Sequence, residues 1–129
     1  MPSPREDDEA GRLGLAASQG DAEAQAELGR MHHVGDGVPQ DFAEARRLLG
    51  LAAAQGDKNA QYTLGEMHHN GEGGPEDFAE ARRLLGLAAA QGDATAQCNL
   101  GAMHHRGQGG PVDFAEARRL FRLAAAQGK

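Results

Sequence analysis

The chain has 129 residues, a formal net charge of −6, 4% aromatic residues and no Trp. An acidic chain does not neutralise phosphates as a whole, so nucleic acid is a poor partner, and no apolar run approaches the length of a membrane span. Cys98 is the single cysteine, so no intrachain disulfide forms and secretion is not implied, which leaves the cytoplasm, or else the nucleus, by exclusion.

Taken in chain order, residues 1–8 are expected to be a disordered acidic tail. Residues 9–20 (EAGRLGLAASQG) match only the end of a longer unit and read as a partial repeat, an N-terminal capping helix. From Asp21 the chain is periodic. Residues 21–56, 57–92 and 93–128 align without a gap, and 25 of their 36 columns are identical.

Each block reads as two helices. Asp21, Asp57 and Asp93 stand as N-caps of the first, whose constant apolar positions Ala24, Leu28 and Met31 fall at i, i+4 and i+7. Gly35-Asp36-Gly37-Val38-Pro39 and its equivalents end that helix and turn the chain. Asp41 with Glu44 has capping-box spacing at the start of the second helix, as do Asp77/Glu80 and Asp113/Glu116. Phe42, Ala45, Leu49 and Ala52 are its expected buried stripe, and Gln55-Gly56 its left-handed close. Mid-helix glycines (Gly29, Gly50 and their equivalents) each cost about 1 kcal/mol relative to Ala where exposed. One hairpin cannot bury its own apolar face, but stacked hairpins bury each other's.

These residues resemble the Sel1-like repeat, a relative of the tetratricopeptide repeat. The pattern is A-x-x-x-L-G-x-M-x-x-x-G-x-G-x-x-x-D-x-x-x-A-x-x-L-x-x-x-A-A-x-Q-G, carried in the first block by Ala24, Leu28, Gly29, Gly35, Gly37, Asp41, Ala45, Ala52, Ala53 and Gly56. The resemblance implies an all-α right-handed superhelix, a solenoid of three helix-turn-helix repeats and about seven helices, doing adaptor or scaffold work. His32, His68 and His104 stand where the family usually has tyrosine, and one cysteine excludes the cysteine-rich branch with a disulfide in each repeat.

The columns that vary within the first helix form one stripe opposite the core stripe. In the first block these are Glu23, Ala26, Glu27, Arg30 and Val34; in the second Asn59, Tyr62, Thr63, Glu66 and Asn70; in the third Thr95, Cys98, Asn99, Ala102 and Arg106. His33, His69 and His105 flank it. By the resemblance, first helices line a concave groove, so these residues are the expected contact with a protein or peptide partner. Free drift of an exposed face is the plainer alternative. Against drift stand second-helix positions read as exposed yet constant, namely Arg46/Arg82/Arg118 and Glu44/Glu80/Glu116.

Sharper chemistry finds little support. Adjacent histidines on a helix point about 100° apart, so the pairs 32/33, 68/69 and 104/105 do not chelate a metal through both rings, and none is expected. The first of each pair is expected to hydrogen-bond between helices. Six histidines could make stability or binding fall as pH drops through about 6.5. The glycine loops lack the Lys-Ser/Thr of a phosphate loop, Arg47 is three residues from Glu44 and is expected to pair with it, and no nucleophile has a base beside it. No enzyme activity and no cofactor are expected. The competing reading is a self-associating structural unit that stacks end to end through an apolar face of Leu120, Phe121 and Leu123.

Overall fold

The computed structural model describes residues 9–128. Among them are seven α-helices and no strand: α1 (Glu9–Ser18), α2 (Ala22–Val34), α3 (Phe42–Ala54), α4 (Lys58–Asn70), α5 (Phe78–Ala90), α6 (Ala94–Arg106) and α7 (Phe114–Ala125). Two compact units divide between Thr63 and Leu64. The Asp caps expected from the sequence are made in both. The expected tail, residues 1–8, lies outside the described residues.

In the first unit α2 packs against α1 and α3. Asp21 accepts a hydrogen bond from the Ala24 amide at 2.9 Å and starts α2, and Gly35, at φ 75°, stops it. The joint between successive blocks uses one residue twice. The Asp57 amide donates to Ala52 O at 3.1 Å and the Gly56 amide to Ala53 O at 2.9 Å, closing α3 with Gly56 at φ 91°. The Asp57 side chain then accepts from the Ala60 amide at 2.8 Å and opens α4. Only Gln55, Gly56 and Asp57 lie between the two helices, and all three belong to their caps, so the block length is held fixed. The same closure ends α1, where Asp21 N donates to Ala16 O at 3.1 Å and Gly20 has φ 91°.

Ala24, Leu28, Met31, Ala45, Leu48, Leu49 and Ala52 are buried. Phe42 departs from its expected place in that stripe. It is only half-buried and lies 5.5 Å from the His33 ring, because the first residue of α3 sits at the edge of the helix pair. The capping box is likewise half made. Asp41 accepts from the Glu44 amide at 3.1 Å, but Glu44 does not return the bond. The Asp41 amide already donates to His32 O at 2.8 Å, which frees Glu44 to bind Arg47 through two bonds of 2.7 and 2.8 Å.

In the second unit α6 packs against α5 and α7. Asp93 and Asp113 cap α6 and α7 as their equivalents do in the first unit, and Glu80–Arg83 and Glu116–Arg119 repeat the exposed pair. Leu120 is 2% exposed, which corrects the expected apolar face: like Leu48 and Leu84 it points into the helix pair. Phe121 and Leu123 are 38% and 42% exposed.

Candidate protein-binding face

A buried glutamine repeated in every block fixes the height of each first helix. Gln25 is 4% exposed; its Nε2 donates to Ala17 O at 3.2 Å, and its Oε1 accepts from Gln55 Nε2 at 2.8 Å. Gln97 donates to Ala89 O at 3.2 Å and accepts from Gln127 at 2.9 Å. Each amide adds a second hydrogen bond to a helix-terminal carbonyl that already accepts from the glycine amide at the joint. The constancy of Gln25, Gln61 and Gln97 was the available signal for them.

With the first helices so placed, none of the stripe residues is buried. Glu23, Arg30, Val34, Asn59, Asn70, His105 and Arg106 are exposed; Ala26, His33, Tyr62, Glu66, His69, Thr95, Cys98 and Ala102 are half-buried. The structure gathers some of them into two clefts, one in each unit. In the first unit a cleft of about 560 Å³ is bounded by Glu23, Ala26, Glu27 and Asn59, with Leu13 and Ala16 on the α1 side. Arg30 stands beside it but is already paired, 2.5 Å from Glu27 and 3.4 Å from Asp36.

In the second unit a pocket of about 160 Å³ lies among Glu66, His69, Asn70, Asn99, Ala102 and Arg106, over buried Leu85 and Met103. Asn99 bonds the Glu66 carboxylate, burial holds Glu66 above the usual carboxylate range, His69 opposes that rise and Glu72 adds to it. His69 Nδ1 lies 3.1 Å from Asn70 Oδ1 and its Nε2 3.3 Å from Gln108 Oε1, while the ring is tilted by 48° against Phe78 with centroids 5.1 Å apart. Gln108 was missed in sequence reasoning. Its column (Asp36, Glu72, Gln108) is one of the few that vary inside the constant loop, and that was the signal. Val34, Tyr62, Thr95 and Cys98 line neither cleft.

Most of the constant second-helix residues have structural reasons to stay constant, which weakens their argument against drift; Arg118 alone of the three arginines is exposed as expected. Arg46 and Arg82 are half-buried rather than exposed. Arg82 Nε donates to Gln108 O at 2.9 Å, and Nη2 to Met103 O at 3.3 Å and Pro111 O at 3.4 Å. Its Nη1 lies 3.1 Å from His104 Nδ1, so this histidine does bond between helices, as expected. His32 does not: its Nδ1 lies 3.2 Å from Pro39 O in its own loop. Among the described residues, no three His, Cys, Asp or Glu side chains are grouped to hold a metal ion, and no helix is long and apolar enough to cross a membrane.

The Sel1 repeat family model matches residues 22–57, 58–93 and 94–129, one residue later than the blocks counted from Asp21. Among solved structures, c5321, a protective antigen of uropathogenic Escherichia coli strains displaying an SLR fold, is 42% identical with a TM-score of 0.88. The match covers 93% of this chain but 26% of the antigen. A Sel1 repeat protein from Oxalobacter formigenes is 37% identical with a TM-score of 0.81, covering 92% of this chain and 89% of that one. Helicobacter pylori cysteine rich protein B, 20% identical with a TM-score of 0.71 over 97% of this chain and 95% of its own, shares the fold. A search of the curated proteins finds no match. The fold class is thus an all-α repeat solenoid, as the periodicity implied.

Proposed function

The chain belongs to the Sel1 repeat family, a non-catalytic scaffold type that commonly binds proteins, and from that premise we propose that it is an interaction module whose first helices hold a protein or peptide segment. One observation carries the reading. The cleft in the second unit is walled largely by residues that differ among the three blocks, and Glu23, Ala26, Glu27 and Asn59 bring such residues to the edge of the cleft in the first, on a backbone held by residues that do not differ. A recognition surface has that combination, since changing its wall residues alters what is bound without disturbing the buried Ala, Leu and Gln positions. Drift alone would leave varied residues without gathering them around concavities.

The test compares proteins captured from lysate by wild type, by a first-helix variant (Asn59→Arg with Thr95→Arg) and by a second-helix control (Ala54→Arg with Ala90→Arg). Partners retained by the control and lost by the first-helix variant support the face. Partners lost only in the control would move binding to the second helices. The exposed Phe121 and Leu123 favour self-association as the second reading. It requires sedimentation mass to rise with concentration and to fall back with Phe121→Lys.

A further inference from the structure

The pocket in the second unit has features that the repeat scaffold does not need. Glu66 stands at a column occupied by Arg30 and Ala102 in the other blocks, so its carboxylate serves no common structural purpose. It is half-buried, with a hydrogen bond from Asn99, yet no Lys or Arg of the described residues pairs with it. Arg106, on the rim, is the other permanently charged side chain of the pocket, which His69 also lines; it is exposed and pairs with no carboxylate among the described residues. The floor between them is apolar, made by Leu85 and Met103, with Ala102 beside it. The pocket is open to solvent, and its 160 Å³ equals about five waters' share of liquid volume, enough for one side chain.

We propose that this pocket takes a lysine side chain of the partner, its ammonium on Glu66 and its methylenes over Leu85, Ala102 and Met103, while an acidic residue next to that lysine engages Arg106. The proposal rests on the first-helix reading and names the chemistry recognised there. Lysine fits better than arginine because Asn99 already occupies part of the carboxylate, and a point charge needs less of it than a two-pronged guanidinium does. Lysine also supplies the apolar stem that the floor calls for. The raised protonation range of Glu66 agrees with a carboxylate that has lost water without gaining a cation. Arg106 alone would repel a lone lysine, and an adjoining carboxylate on the partner turns that repulsion into selection.

The probe is a synthetic peptide, acetyl-Gly-Ser-Lys-Glu-Ser-Gly-amide, titrated into the labelled full chain and followed by NMR. Saturable shifts at Glu66, Asn99 and Arg106 are expected, with affinity reduced at least about tenfold by Glu66→Gln in the protein or by Lys→Gln in the peptide. Arg106→Glu should weaken this peptide and strengthen its Lys-Lys counterpart. Glu66→Gln keeps the side-chain shape and should melt no lower than wild type, which separates lost binding from lost folding. Absence of saturable shifts, or equal binding by Glu66→Gln, overturns the lysine pocket. Should the Asn59→Arg/Thr95→Arg variant lose lysate partners that Glu66→Gln keeps, the face reading stands and the pocket falls. Retention of every partner by the former variant removes the face reading itself.

Discussion

A Cβ added to Gly29 would lie 2.8 Å from Leu49 Cγ and 3.3 Å from the Leu49 amide nitrogen, whereas one added to Gly50 or Gly86 would meet nothing within 4 Å. These mid-helix glycines therefore answer to different physics. Gly29 lets α2 and α3 approach until Leu49 sits against the α2 backbone, and Gly65 and Gly101 do the same for Leu85 and Phe121. Gly29→Ala should cost about 1–3 kcal/mol through overpacking. Gly50→Ala and Gly86→Ala should each stabilise by about 0.5–1 kcal/mol, because alanine loses less freedom on entering a helix. Urea unfolding of the three variants decides it; destabilisation by Gly50→Ala would mean that the open space is used. The letter G is the same in both places, so the sequence assigned one cost to both. What separates them is the neighbouring helix, which periodicity positions only coarsely. Gln25 was hidden in the same way: a polar letter on the inner face shows its purpose only once Ala17 O is found above it.

At the scale of elements, the Asp caps, the glycine stops and the Glu44–Arg47 pairs were legible because each is settled within about four residues of sequence. The link from Arg82 on α5 to the α6–α7 loop was not, since it spans 22 residues to His104 and 26 to Gln108. An arginine cannot accept a hydrogen bond, so His104 Nδ1 must be the acceptor and the ring must be neutral. Burial and then Arg82 lower the protonation range of His104; Glu116 and Asp113 on the α7 side raise it, and Arg119 lowers it again. The sign follows. Below the ordinary value of about 6.5 the unfolded chain binds this proton more readily than the folded one, so the stabilisation present above 6.5 is lost as pH falls towards the depressed folded value. Wild type should thus lose melting temperature on acidification from pH 7.5 to 5.5. His104→Gln, which cannot take up a proton, should lose less over that interval, and Arg82→Ala should lower stability at both ends. An equal acid response in wild type and His104→Gln would show that other groups govern it. The pocket was half legible for the same reason: the stripe named Glu66, His69, Asn70, Ala102 and Arg106, but only the folded loop brings Gln108 to His69.

For the whole molecule, the informative fact is that the two units repeat one set of bonds. Gln25 to Ala17 and Gln97 to Ala89, then Gln55 to Gln25 and Gln127 to Gln97, are the same contacts two blocks apart. Block boundaries fall on a Gly-Asp joint each time, where one aspartate closes a helix and opens the next. An extra block therefore meets the joints and partners it already has in its own sequence context, and its stability should add to that of its neighbours. Inserting a second copy of residues 57–92 after Gly92 should give a monomer with unchanged ellipticity per residue. Its urea slope should grow roughly in proportion to length, and its melting temperature should rise by several degrees. The competing expectation is that the blocks are individually fitted, with Phe121 and Arg122 in the last and Val38 in the first compensating for particular neighbours. In that case the longer chain would melt in two steps or lose helicity per residue. One circular-dichroism melt separates the two, and a single, higher transition would establish that the columns constant in sequence are those that carry the fold.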